Sequence, residues 1–144
     1  MPRNRKPAKT SAQTKWLWPS IILGISVVIV IAFAFYRLTP FTEISASQAY
    51  QKYQQGTFFL DVRSQAEWDK GHLTKSILIP LDQLSSRLAE IPKDQDVVVI
   101  CRSGVRAKQG TSTLREAGYG RAVSMTGGLL AWRSAGYPFE GNGP

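Results

Sequence analysis

Asp96-Val97-Val98-Val99-Ile100-Cys101 runs without a break into Arg102-Ser103-Gly104-Val105-Arg106. Residues 97–101 carry no polar alternation, which suits a central parallel strand covered on both faces. The strand predicts a cysteine at its carboxyl end, and the chain then turns into a helix expected over about 105–117 and stopped by Gly118. Working outward, Ser45 or Ser47 can cap a helix that runs through about Gln54 and ends at Gly56. Phe-Phe-Leu-Asp-Val-Arg, 58–63, reads as a second strand and Ser-Ile-Leu-Ile-Pro, 76–80, as a shorter one. Leu81, Leu84, Leu88 and Ile91 recur at three and four residues, one face of an expected helix that Pro92 closes. Ala-Val-Ser-Met, 122–125, is a further strand and 128–135 a closing helix. This alternation of strands and helices predicts an α/β domain with a doubly wound, mainly parallel sheet of about five strands flanked by helices. The order of the strands is not set by the sequence.

In an open parallel sheet the ligand sits beyond the carboxyl ends of the strands. Cys101 occupies such a place. The N–H groups of the following turn and of the first helical residues lack intrahelical acceptors, so they can converge on an anion, here the cysteine's own sulfur. The helix dipole, those amides, Arg102 and Arg106 all favour thiolate over thiol. Gly104 supplies the positive φ that a tight loop needs for successive amides to point inward. A cysteine at a strand end can also be simply a buried small side chain, but the flanking Arg-Ser-Gly-x-Arg favours a nucleophile.

The rest of the composition narrows the field. The 144 residues leave room for one domain and little more. With one Cys and one His the chain holds no internal disulfide, no multi-cysteine metal site and no His-rich metal centre. The formal charge of +8 is lopsided: residues 1–40 hold Arg3, Arg5, Lys6, Lys9, Lys15 and Arg37 without an acid, whereas 41–144 hold 12 basic and 10 acidic side chains. The folded part is close to neutral, so no nucleic-acid partner is expected.

Between Trp16 and Tyr36 there is no charged residue, and as a helix that run would reach about 31 Å, the thickness of a hydrocarbon core. Trp16, Trp18 and Tyr36 stand at its ends, where aromatic rings settle at the headgroup level. The expected organisation is a basic cytoplasmic tail at 1–15, a transmembrane signal anchor in contact with lipid at 16–36, a linker at 37–43 and a soluble domain at 41–144. Ala32-Phe33-Ala34 offers the alternative of a cleaved signal peptide. The five basic residues ahead of the span keep the N-terminus in the cytoplasm and place the domain outside it.

Three separated motifs carry a family resemblance: Cys-Arg-Ser-Gly-Val-Arg (101–106), Leu-Asp-Val-Arg-Ser-Gln-Ala-Glu-Trp-Asp-Lys-Gly-His-Leu (60–73), and Met-Thr-Gly-Gly-Leu-Leu-Ala-Trp-Arg-Ser-Ala-Gly-Tyr-Pro (125–138). From about Phe41 to Glu140 the chain resembles a single-domain rhodanese, of the thiosulfate sulfurtransferase family. The resemblance implies that Cys101 attacks the outer sulfur of a donor such as thiosulfate, holds it as a persulfide and passes it to cyanide or a thiol. It also implies that the amides of Arg102, Ser103, Gly104, Val105 and Arg106 cradle the persulfide, that Arg102 and Arg106 attract an anionic donor, and that no metal or organic cofactor takes part. The alternatives are a non-catalytic module that docks a partner at the membrane, and a redox or sulfide sensor. Phosphatases of the same fold place arginine at the sixth position after the cysteine, where this chain has Ala107; Ile100 stands where they carry histidine.

The remaining motif residues read as support. Asp61 and Arg63 leave a strand end near the pocket, and Glu67, four residues after Arg63, is spaced for a helical ion pair or a cap. His72 is expected to be a hydrogen-bonded fold element and Trp132 a core residue. Gly127 and Gly128 open the last helix and let backbone lie close to the pocket. The family's usual glycine-alanine pair is replaced by Lys75-Ser76, and Leu78 stands where asparagine is frequent.

Overall fold

A computed structural model describes residues 17–38 and 42–143. It divides into two compact units, 1–40 and 41–144. In the first, helix α1 spans Leu17–Leu38, and the described side chains, residues 21–31, are exposed. Those residues cover about 16 Å of helix at 1.5 Å per residue, and among the described residues no helix is long and apolar enough to cross a membrane. The transmembrane expectation for 16–36 therefore gains no support here, because the side chains at both ends of that run lie outside the described residues. The tail at 1–15 lies outside the described residues, Ala32-Phe33-Ala34 lie within α1 with their side chains not described, and of the 37–43 linker only part is described.

The second unit is built on a five-stranded parallel sheet, formed by β1 (Glu43–Ile44), β2 (Phe58–Asp61), β4 (Ser76–Leu78), β5 (Val97–Ile100) and β6 (Ala122–Met125). The strand order is β1-β6-β5-β2-β4, with β5 pairing Val97 to Ala122 on one side and to Phe58 on the other. A second, two-stranded antiparallel sheet joins β3 (Gly71–His72) to β7 (Glu140–Gly141). The helices are α2 (Ala46–Gln54), α3 (Gln65–Trp68), α4 (Val105–Glu116) and α5 (Gly128–Ser134). Ser45, one of the two expected caps, closes α2 in a reciprocal box with Gln48.

The unbroken apolar run of β5 is explained by two cores. Val97 and Val99 join Leu60, Ala107 and Leu114 on the face covered by α4. Val98 and Ile100 join Phe59, Ala49, Leu129 and Trp132 on the face covered by α2 and α5. Both layers are dry, since all four strand residues are fully buried. α4 lies so close to the sheet that a Cβ on Gly110 would stand 3.2 Å from a Val99 methyl and 3.3 Å from one of Val62.

One expected element differs. Residues 81–91 form two 3-10 turns, Leu84–Ser86 and Leu88–Glu90, in place of a single helix. Arg87 between them, at φ −115° and ψ 19°, leaves the helical region. Leu84 and Ile91 still reach the core, because 3-10 turns repeat every three residues and so preserve part of the same spacing.

Trp132 ties the second core together. It is fully buried, meets Tyr50, Tyr53, Phe59 and Tyr137 edge to face, and donates its indole N–H to Pro138 O at 2.8 Å. Trp132→Ala should lower the unfolding free energy by about 3–5 kcal/mol. A fall of the urea midpoint without a change of slope would show this, and an unchanged midpoint would contradict the packing described.

Candidate active site

Cys101 follows the last residue of β5, and Gly104, at φ 97°, caps the N-terminus of α4. Between them the backbone closes around the sulfur. Gly104 N–H donates to Cys101 Sγ at 3.1 Å and Ala107 N–H at 3.4 Å. Of the amides expected from 102–106, Gly104 makes this contact among the described residues, and the second donor is Ala107, one residue beyond the expected set. Ala107 lies in the first turn of α4, whose N–H groups lack intrahelical acceptors, one residue past the six-residue loop motif. Cys101 is 1% exposed and lies at the floor of the loop. Arg102, Ser103 and Val105 form its outer surface, with Val105 71% exposed.

The loop's carbonyls are fixed from the other side. Leu129 N–H donates to Cys101 O at 2.9 Å and Leu130 N–H to Arg102 O at 3.0 Å, so the first turn of α5 docks on the backbone of Cys101 and Arg102. Gly127 and Gly128, at φ 74° and 56°, make that approach, as the sequence suggests. A Cβ on Gly128 would collide with the carbonyl oxygen of Cys101. Gly128 is therefore required by close backbone contact as well as by positive φ, and Gly127 by its positive φ and the Ala131 methyl 2.7 Å from where its Cβ would stand.

Asp61 and Arg63 form a buried buckle, and Arg63 also borders the cleft that lies beside Arg106. Arg63 is 0% exposed; its Nε donates to both Asp61 carboxylate oxygens at 3.0 and 2.8 Å, and its Nη2 to Gly71 O at 2.8 Å. A third arm, Nη1, reaches Glu67 O at 3.3 Å. The guanidinium thus links the end of β2 to α3 and β3. Burial pushes the Asp61 carboxyl upward, against the pull of Arg63 that favours its charge.

The Glu67 side chain does not pair with Arg63. Its carboxylate accepts from Arg106 Nη2 at 2.6 Å and Nη1 at 2.7 Å, a fork-to-fork contact across 39 residues of sequence. The same carboxylate accepts from Ser64 N–H and Oγ and closes the capping box of α3. The cap was legible, while the partner in the loop was not, since nothing local in 63–67 points to residue 106. His72 is a fold element, stacked on Trp68 with Nδ1 3.2 Å from Trp68 O. A cleft of about 350 Å³ beside Arg106 is walled by Val62, Arg63, Ser64, Pro80, Leu81 and Asp82.

With this geometry, residues 45–135 match the model of the Rhodanese-like domain family. A sulfurtransferase of Allochromatium vinosum is 38% identical over 84 residues, covering 58% of this chain and 78% of that protein. Thiosulfate sulfurtransferase 18 of Arabidopsis thaliana is 36% identical over 114 residues, covering 67% of this chain and 82% of its own length. The crystal structure of a rhodanese-related protein from Thermoplasma volcanium superposes with a TM-score of 0.64 at 29% identity, over 69% of this chain and 98% of that one.

The Arg106 guanidinium holds the Glu67 carboxyl at about 2, well below its usual 4.5. A carboxylate with a lowered pKa stabilises the fold fully above its unfolded value and loses that contribution as pH falls through its folded one. For this partly exposed pair the contribution is about 1 kcal/mol. Unfolding free energies of wild type and Glu67→Gln should therefore differ by about that much near neutral pH and converge as the solution is acidified from about 4.5 towards 2. A gap that stays constant across that range would contradict the assignment.

Proposed function

Since the chain belongs to the rhodanese-like domain family, we propose that it is a sulfurtransferase in which Cys101 carries the transferred sulfur as a persulfide, taken from a sulfane donor such as thiosulfate and delivered to cyanide or a thiol. The observation that carries this reading is the pair of amides aimed at Cys101 Sγ, from Gly104 and Ala107. They donate to the sulfur itself, and as N–H donors they suit the anionic terminal sulfur that a persulfide would carry beside them. The names of the similar proteins agree with sulfur transfer as the reaction type.

In the first half-reaction the Cys101 thiolate attacks the outer sulfur of the donor. A bond forms between the two sulfurs, the donor's own sulfur–sulfur bond breaks, and its electron pair leaves with the inner sulfur, as sulfite in the case of thiosulfate. In the second half-reaction the acceptor attacks the terminal sulfur and Cys101 departs as thiolate, ready for another cycle. Arg102, exposed on the loop and in no ion pair among the described residues, is placed to draw an anionic donor in.

Cys101→Ser should remove thiosulfate:cyanide sulfur transfer from the purified, reduced protein. Mass spectrometry of wild type treated with donor alone should show one added sulfur on the peptide containing Cys101. Folded wild-type protein whose free thiol took up no sulfur from any sulfane donor would refute the proposal.

We extend the proposal to placement: residues 16–36 anchor the domain to a membrane with the N-terminus in the cytoplasm and the domain on the other side. Its support is the uncharged run in the sequence and the basic residues ahead of it. The full chain should then stay with the membrane fraction after alkaline carbonate extraction, and a chain beginning at 41 should not. Release of the full chain by carbonate would overturn the placement.

A further inference from the structure

We propose that Glu67 sets the donor specificity of this site, by compensating the charge of Arg106 so that the loop presents one net positive charge and favours donors that carry a single negative one. The inference rests on the sulfur-transfer reading above. Its basis is the arrangement of charge. Both terminal nitrogens of Arg106 are engaged by the two oxygens of Glu67, at 2.7 and 2.6 Å. The carboxylate cannot easily swing away, because Ser64 N–H and Oγ donate to its Oε2 at 3.2 and 3.1 Å. Arg63 adds no net charge, as it is fully buried against Asp61 at 2.7 Å. Among the described residues Arg102 is left as the exposed cation of the loop with no ion pair, and Asp82, on the cleft beside Arg106, takes the local balance further from positive.

Sulfane donors differ in this respect. Thiosulfate brings two negative charges, and the second would face Glu67 without a partner. An organic persulfide anion, R–S–S⁻, brings one. Its carbon-bearing end would find the apolar side chains of Val62, Pro80 and Leu81 in the cleft of about 350 Å³ beside Arg106, which Arg63, Ser64 and Asp82 also line. Transfer from either donor balances without an added oxidant or reductant: the Cys101 thiolate bonds to the outer sulfur, the donor's sulfur–sulfur bond breaks, and the pair leaves on R–S⁻ or on sulfite.

The test is a change of selectivity, so that differences in intrinsic donor reactivity cancel. On the full chain, kcat/KM is measured for thiosulfate and for 2-hydroxyethyl persulfide, with cyanide as acceptor, in wild type, Glu67→Gln and Glu67→Asp. Glutamine at this position can still close the capping box, so the substitution removes charge without removing the cap of α3. Glu67→Gln should raise the thiosulfate-to-persulfide ratio about tenfold, the order expected for one unit charge at close range. The change should fall mainly on the KM for thiosulfate and shrink at high salt. Glu67→Asp should return the ratio towards wild type. A ratio that moves less than twofold, or equal slowing with both donors, would mean that Glu67 only braces the loop. Failure of wild type to take sulfur from either donor would instead remove the sulfur-transfer reading, and this inference with it.

Discussion

The contact between the first turn of α5 and the carbonyls of Cys101 and Arg102 is the constraint on which the site depends. A sulfur held by backbone amides needs those amides to stay aimed, and a short glycine-containing loop has little stiffness of its own. Here the stiffness is imported. Leu129 and Leu130 N–H groups fix the carbonyl side of the loop, while Gly104 and Ala107 N–H groups close on the sulfur from the opposite side. Consecutive peptide groups of the loop are thus held in turn, 101–102 and 102–103 by α5 and 103–104 by the sulfur. Gly104 takes part twice, because its own Cα packs against the stretch that precedes α5: a Cβ there would stand 3.1 Å from Gly127 N and 3.2 Å from Met125 O.

Below this level the buried Asp61–Arg63 pair organises the neighbouring segment. A guanidinium that is fully buried must satisfy its donors internally, and Arg63 does so on Asp61, Glu67 O and Gly71 O. Each acceptor belongs to a different piece of chain, so satisfying one side chain fixes where β2 ends, where α3 begins and how β3 starts. Breaking either partner would leave an uncompensated charge, whereas replacing both with apolar groups would leave carbonyls unpaired. The buckle explains why the segment 61–72 holds its course with only short elements of regular structure.

What could be read from the sequence follows the range of the forces involved. β5, α4, β6 and α5 announce themselves through apolar runs and punctuating glycines, and Cys101 was placed by the end of its strand. The two-residue strands β1, β3 and β7 carry no such local signal, since their existence is set by pairing with distant partners, Ile44 with Met125 and His72 with Glu140. The spacing of Leu81, Leu84, Leu88 and Ile91 told correctly which side chains are drawn to the core and wrongly how the backbone coils. Burial reports on side chains, and a 3-10 turn can bury residues at intervals of three as a helix does. Charge pairing was the least legible: the spacing of Arg63 and Glu67 fits a pair, yet each found its charge partner elsewhere.

The two capping boxes of this chain show why the charge of Glu67 calls for an explanation beyond its own helix. Ser45 with Gln48 and Ser64 with Glu67 solve the same local problem with the same reciprocal hydrogen bonds. Ser45 does so with a neutral amide, so an acceptor oxygen is sufficient at this position and a carboxylate is not required by the cap. What differs is what stands opposite. Gln48 is exposed, whereas Glu67 faces a guanidinium of the Cys101 loop, which holds its carboxyl at about 2. The local motif accounts for the reach and orientation of the side chain, and the loop accounts for its charge. A residue that reads as a helix signal from its neighbours in sequence is, in three dimensions, one of the charges that defines the site.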